Sequence, residues 1–149
     1  MPSANARPDY AGDIECAEAW ALLEANPKAQ LVDVRTVAEW SFVGLPDLSG
    51  LGRAALCVEW QRFPDMAIDP AFAARTAEQL AGAGADKDTP VVFLCRSGAR
   101  SRSAAMAMTQ AGFGHAYNIA GGFEGDLDQN RHRGGRNGWK ATGLPWRQS

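Results

Sequence analysis

The chain has 149 residues, of which 46% are apolar, 21% charged and 9% aromatic. A chain of this size and composition can bury a core of its own, which excludes a disordered protein, a collagen-like chain and a small disulfide-bonded scaffold. The net charge of −2 also argues against a basic nucleic-acid-binding protein.

The pattern along the chain predicts one α/β domain over residues 12–149, preceded by a flexible lead over residues 1–11. Short apolar runs alternate with helical periodicity, and the most apolar run suits the centre of a parallel sheet. Asp69 and Pro70 indicate a helix start, with the carboxylate as the N-cap. The expected strands cover 30–34, 54–58, 91–94 and 115–119, and the expected helices cover 16–25, 36–42, 70–82 and 101–111. The sequence therefore predicts an open parallel β-sheet with helices on both of its faces.

The chain contains three cysteines, Cys16, Cys57 and Cys95. We find no apolar segment typical of a secretory signal or of a membrane span, so we expect a reducing cytoplasm and no membrane contact. The cysteines show no spacing typical of metal ligands, so no metal is expected. Cys57 is predicted to lie in the core, and Cys16 to be a candidate exposed thiol able to take sulfur from Cys95.

Cys95 directly follows the most apolar predicted strand and begins a short loop that contains Gly98 and leads into a helix. Such a loop directs several backbone N–H groups, and the positive end of the helix dipole, towards one point. A thiolate at that point is stabilised, and Arg96, Arg100 and Arg102 add positive potential around it. An inert cysteine at the end of a strand is the alternative, but the glycine and the arginines favour a nucleophile facing an anionic substrate.

The segment Cys95-Arg96-Ser97-Gly98-Ala99-Arg100-Ser101 resembles the active-site loop of single-domain rhodaneses, which are sulfurtransferases. The resemblance extends over most of the chain from about Gly12. Three further segments are similar to family segments: Leu31-Val32-Asp33-Val34-Arg35 with Glu39-Trp40, Gly121-Gly122-Phe123-Glu124-Gly125, and the ending from Gly138 to Trp146.

The resemblance implies a two-step transfer through a persulfide on Cys95. The thiolate takes the outer sulfur of a small anionic donor such as thiosulfate, and cyanide, a thiol or a protein cysteine then accepts it. Cys95 is the expected nucleophile, and residues 96–101 form the expected anion-binding loop. No cofactor is needed, because backbone N–H groups can stabilise the persulfide anion.

The charged residues around this loop can act either in binding or in holding the structure. Arg100 either binds the anionic substrate or pairs inward with Asp33 or Glu39 and braces the loop. We expect Asp33 to support the active loop and Arg35 to pair near Glu39. The basic, glycine-rich segment 130–136 is interpreted as a solvated loop, with contact to an acidic partner as the alternative.

Two other functions compete with the sulfurtransferase. A cysteine-dependent phosphatase or arsenate reductase has five residues between its cysteine and its arginine, whereas here four residues separate Cys95 from Arg100. Leu94 also stands where phosphatases usually have histidine. A non-catalytic interaction module usually loses the cysteine, which this chain retains; a sulfur relay to a protein acceptor stays open.

Overall fold

The structure is a computed structural model in which residues 9–62 and 65–148 are described. The strands are β1 (Gly12–Ile14), β2 (Gln30–Asp33), β3 (Leu45–Pro46), β4 (Leu56–Cys57), β5 (Gln61–Arg62), β6 (Ala67–Ile68), β7 (Val91–Leu94), β8 (Ala116–Ile119) and β9 (Trp146–Arg147). The helices are α1 (Cys16–Ala25), α2 (Val37–Phe42), α3 (Phe72–Gly82), α4 (Ala99–Gln110) and α5 (Trp139–Thr142).

Five of these strands form one parallel sheet in the order β1-β8-β7-β2-β4. Strand β7 is central, as its apolar composition predicts, and every residue of β2 and β7 is buried. The register pairs Val32 with Phe93 and Asp33 with Leu94. Cys95 therefore follows directly at the carboxyl edge of the sheet, where open parallel sheets bind their ligands.

Helices cover both faces of the sheet, which confirms the predicted α/β fold class. On one face, Phe93 packs with Phe72 of α3 and Met108 of α4. On the other face, Leu94 packs with Leu23 of α1 and with Trp139 of α5. The side chains of neighbouring residues on a strand point to opposite faces, so one buried strand contributes to both cores.

Element boundaries differ from the predicted ones at two helices. Helix α3 begins at Phe72 and not at Pro70, because the Asp69 carboxylate accepts a hydrogen bond from the Ala71 amide in a turn that precedes the helix. Helix α4 begins at Ala99, two residues before the predicted start, so the first turn includes part of the cysteine loop.

The first eight residues of the predicted flexible lead lie outside the described residues. Of the remaining three, Ala11 donates a backbone hydrogen bond to the carbonyl of Ala116, and Tyr10 packs against the core. This contact joins the stretch before β1 to strand β8.

A buried ion pair lies at the carboxyl end of β2. The side chains of Asp33 and Arg35 are both fully buried, and Arg35 Nη2 lies 2.6 Å from Asp33 Oδ2. Arg35 also donates to the carbonyl of Gly44, and its guanidinium lies 4.3 Å from the ring centroid of Phe123. The expected pairing of Arg35 near Glu39 is therefore wrong, and Asp33 contacts Arg35 in place of the cysteine loop. The guanidinium turns back onto the carboxylate two residues before it, so the two buried charges pair with each other, while Nη1 of Arg35 has no hydrogen-bond partner among the described residues.

We predict that Asp33→Asn lowers the free energy of unfolding by about 3 kcal/mol, because the variant leaves the buried charge of Arg35 without its counterion. Urea denaturation measures this loss. Asp69→Asn is the matched control, since its partners Arg62 and Arg75 keep contact with water and the loss should be much smaller. Equal losses in the two variants would contradict the prediction.

Candidate active site

Cys95 lies between β7 and α4, with its side chain almost fully buried. Its Sγ accepts a hydrogen bond from the backbone N–H of Gly98 at 3.1 Å and lies 3.2 Å from the hydroxyl oxygen of Ser101. Gly98 has a φ of +122°, a conformation that favours glycine. The loop thus places the sulfur at the amino-terminal end of a three-turn helix, where a negative charge is favoured.

Ser101 connects this sulfur to a chain of polar side chains that reaches the sheet edge. Its Oγ lies 2.5 Å from Oδ1 of Asn118, and the Asn118 amide donates to Asp13 on β1 at 2.9 Å. A hydroxyl has one proton, so Ser101 donates to one of three acceptors at a time: Asn118 Oδ1, the carbonyl of Gly98 at 3.2 Å or the sulfur. A protonated Cys95 can donate a hydrogen bond to the Ser101 oxygen. A Cys95 thiolate is instead stabilised when the Ser101 hydroxyl donates its hydrogen bond to the sulfur.

The glycine pair after β8 holds the beginning of the cysteine loop. A Cβ atom on Gly122, whose φ is +63°, would lie 2.5 Å from the carbonyl oxygen of Cys95. The close approach lets the Phe123 amide donate to that oxygen at 2.8 Å. The amides of Glu124 and Gly125 donate to the carbonyl of Arg96. Three consecutive amides therefore fix the backbone on which the sulfur is carried.

Arg100 makes a two-point contact with Glu39, at 2.6 Å and 3.0 Å. Burial opposes both charges, but the pair outweighs it: the pKa of Glu39 is held below its ordinary value and the pKa of Arg100 is raised. Of the two inward partners expected for Arg100, the structure thus shows Glu39 and not Asp33. The contact joins α4 to the capping box of α2, in which Thr36 also faces Glu39.

A cavity of about 560 Å³ opens beside Cys95. The predicted residues Glu39, Arg96, Ser97, Ala99 and Arg100 line it, whereas Gly98 and Ser101 lie buried beside the sulfur. Asp33 and Arg35 are absent from the lining. Five further residues also line the cavity: Val43, Gln61, Met66, Glu124 and Arg133.

Arg133 is the least expected of these residues, because it belongs to the segment interpreted as a solvated loop. Its Nη1 donates to the carbonyl of Gly125 at 2.7 Å, and the next amide, of Gly134, donates to the carbonyl of Glu124. These bonds fold the segment back onto the stretch that clamps Cys95. Sequence spacing gives no sign of this return; the only available signal is the concentration of arginines in the chain after Cys95.

The other two thiols lie in different surroundings. Cys16 is buried, with Sγ 3.5 Å from the carbonyl of Gly122, so the expectation of an exposed thiol is wrong. Burial raises the pKa of Cys16 to about 12. Cys57 is half-buried, and burial raises its pKa to about 11. Both thiols therefore stay protonated, and weakly nucleophilic, at neutral pH.

Within residues 9–62 and 65–148, no three histidine, cysteine or acidic side chains come together as metal ligands would. None of the helices in the same ranges has the length and apolar character needed to span a bilayer.

The sequence profile of the family described as "STR4 middle domain" matches residues 12–149, and the chain belongs to this family. An uncharacterized protein of Rickettsia conorii, RC0915, is 36% identical over 129 residues, which are 87% of this chain and 91% of that protein. The thiosulfate sulfurtransferase GlpE of Actinobacillus pleuropneumoniae is 26% identical over 133 residues, which are 89% of this chain and 90% of GlpE.

Solved structures show the same fold. The crystal structure of Rv0390 from M. tuberculosis is 51% identical, with a TM-score of 0.84 over 94% of this chain and 99% of that one. The polysulfide-sulfur transferase homodimer of Wolinella succinogenes is 24% identical, with a TM-score of 0.57 over 95% of this chain and 80% of that one. The rhodanese-like fold implied by the sequence resemblance is thereby confirmed.

We predict that Gly122→Ala destabilises the protein more than Gly52→Ala. Both glycines have positive φ values, but a Cβ at Gly52 meets no atom within 4 Å. In the Gly52 variant the free energy of unfolding should therefore fall only by the conformational cost of about 1–2 kcal/mol. In the Gly122 variant it should fall by that cost and by the additional cost of displacing the Cys95 backbone. Urea denaturation measures the difference, and alkylation of Cys95 by iodoacetamide reports whether the loop has moved. Equal effects of the two substitutions would contradict this.

We predict that the Glu39–Arg100 pair stabilises the fold fully above about pH 4.5 and loses this effect as the pH falls further. The pKa of Glu39 is lower in the folded state than its ordinary value of 4.5. Its contribution is therefore fully present above that value and is lost as the pH falls towards the folded-state pKa. The difference in unfolding free energy between wild type and Glu39→Gln should be constant from pH 7 to pH 5 and should become smaller as the pH falls below 5. Glu24→Gln, at an exposed residue, is the control substitution. A difference between wild type and Glu39→Gln that grows in acid would contradict the assignment.

Proposed function

We propose that the protein is a single-domain sulfurtransferase that moves a sulfane sulfur from an anionic donor, such as thiosulfate, to a thiophilic acceptor through a persulfide on Cys95. One observation carries the proposal: the Cys95 sulfur lies beside a cavity, with the Gly98 N–H at 3.1 Å and the Ser101 hydroxyl at 3.2 Å. A small cradle of donors around one sulfur is what a persulfide anion needs.

Each half-reaction exchanges one bond to sulfur. The Cys95 thiolate attacks the outer sulfur of thiosulfate, the S–S bond of thiosulfate breaks, and sulfite leaves with the bonding electron pair. The product is the Cys95 persulfide anion. An acceptor such as cyanide then attacks the outer sulfur, thiocyanate forms, and the Cys95 thiolate returns. The enzyme is unchanged after one cycle, and ping-pong kinetics are expected.

The surrounding residues take distinct roles in this proposal. The backbone of residues 96–101 holds the anion, and the exposed Arg96 attracts the donor. Arg100 braces the loop, because its guanidinium already makes two bonds to Glu39. Asp33 and Arg35 support the site through Phe123, whose amide binds the Cys95 carbonyl. No metal or organic cofactor takes part in these steps.

The relatives support the same reaction class. GlpE is named a thiosulfate sulfurtransferase and aligns with most of this chain. The acceptor in this proposal is a thiol or a protein cysteine, with cyanide as its laboratory substitute. All three cysteines are free, and we place the reaction in a reducing cytoplasm.

The phosphatase alternative is less well supported. A phosphatase needs an arginine free to bind the oxyanion, but Arg100 is engaged by Glu39 and comes one residue too early. A non-catalytic module has no use for a sulfur held by two donors.

We predict that wild-type protein gains one sulfur atom on incubation with thiosulfate, whereas Cys95→Ser gains none. Intact-protein mass spectrometry measures the gain, and cyanide should then remove the sulfur as thiocyanate. Cys57→Ser is the matched control and should load like wild type, because its thiol stays protonated.

Two results would overturn the proposal. Hydrolysis of an aryl phosphate through Cys95, with no sulfur uptake, would favour the phosphatase. If the protein neither takes up sulfur nor hydrolyses the aryl phosphate, the non-catalytic interaction module would be favoured.

A further inference from the structure

The cavity beside Cys95 is larger than the smallest donor requires. Its volume of about 560 Å³ lies in the range of roughly 300–1,000 Å³ that is typical of sites for organic ligands. Thiosulfate has five non-hydrogen atoms and leaves most of such a space to water. The excess volume leaves room beside the sulfur for a bulkier molecule.

Three arginines line this cavity, and they differ in how they are held. Arg100 is engaged by Glu39, and Arg96 is exposed with no fixed contact of its side chain among the described residues. Arg133 is half-buried, is anchored on the Gly125 carbonyl, and has no carboxylate within 4 Å in the described part of the chain. It is therefore a positioned cation without a counterion, so little side-chain entropy remains to be lost when an anion binds.

We propose that Arg133 binds a carboxylate of an organic thiol, which is the sulfur acceptor or, in its persulfide form, the donor. This inference rests on the proposed sulfurtransferase function. A guanidinium that keeps donors free after one backbone bond suits a carboxylate, which accepts two parallel hydrogen bonds. The lining contains one carboxylate besides that of the paired Glu39, namely Glu124, whose backbone carbonyl is bonded by the Gly134 amide next to Arg133.

One site serves both directions of this step. The acceptor thiolate attacks the outer sulfur of the Cys95 persulfide, the S–S bond breaks, and Cys95 leaves as a thiolate. The acceptor departs as its own persulfide. In the reverse direction the same persulfide donates its outer sulfur to Cys95 and leaves as the thiolate. By microscopic reversibility, a residue that binds the acceptor also binds the corresponding donor.

The test compares two thiols that differ in a single group, 3-mercaptopropionate and its neutral amide. Protein loaded with sulfur from thiosulfate is mixed with each thiol, and mass spectrometry follows the loss of the sulfur atom. The ratio of the two rates is measured in wild type, Arg133→Ala and Arg136→Ala. Comparing ratios between variants cancels the intrinsic difference in reactivity between the thiols.

Arg136→Ala is the matched control, because it removes the same charge from the same segment at an exposed residue outside the cavity. We call the ratio of the rate with 3-mercaptopropionate to the rate with its amide the carboxylate preference. We expect it to fall about tenfold in Arg133→Ala, the usual loss for one charge-assisted hydrogen bond, and to stay unchanged in Arg136→Ala. Arg133→Lys should retain part of the preference.

Loading and binding are checked separately. A mass gain of one sulfur atom after incubation with thiosulfate shows, before either thiol is added, that the persulfide of Arg133→Ala is intact. A second measurement needs no loading: 3-(methylthio)propionate, which has no thiol, should slow alkylation of Cys95 in wild type and Arg136→Ala but not in Arg133→Ala.

The assignment of Arg133 would be overturned if wild type and Arg133→Ala had equal preference ratios. It would also be overturned if 3-(methylthio)propionate protected Cys95 from alkylation equally in both. Either result would leave the proposed sulfurtransferase function intact. A wild type that never gains sulfur would instead overturn the proposed function, and with it this inference.

Discussion

The backbone of Gly122 lies so close to the carbonyl of Cys95 that no side chain fits between them. This contact allows three successive amides, beginning with that of Phe123, to bond the carbonyls of Cys95 and Arg96. The end of β8 and the start of the cysteine loop therefore behave as one backbone unit. The direction of the Gly98 N–H towards the sulfur depends on that unit, because the loop between the two contacts is only a few residues long.

The arginines around the site divide into those that are paired with a carboxylate and those that, among the described residues, are not. Arg35 is buried against Asp33 and supports the ring of Phe123, while Arg100 ties α4 to Glu39. Each guanidinium is bonded to a carboxylate, so neither is free to follow a substrate. The positive potential available to an anion comes instead from Arg96 and Arg133. Structural and recognition charges are thus carried by different residues within one small volume.

Local signals made the central part of the site predictable, and non-local contacts made the rest unpredictable. An apolar run followed by a cysteine and a glycine predicts β7, the loop and α4 to within two residues at their ends. The partner of Arg35 depends on how the side chain turns at the end of β2, which spacing does not encode. The start of α3 was misplaced because Asp69 satisfies the amide of Ala71 in a turn outside the helix, although its carboxylate looks like an N-cap in the sequence.

Arg133 shows why a basic, glycine-rich segment is hard to interpret from sequence. Its side chain donates to the carbonyl of Gly125, and the next amide, of Gly134, donates to the carbonyl of Glu124, in the same stretch that clamps the cysteine loop. The segment that begins after Gly125 is therefore held by the same stretch of backbone that holds the cysteine loop. The donors around the sulfur and the part of the cavity wall that carries Arg133 thus share one anchor, although they lie far apart in the sequence.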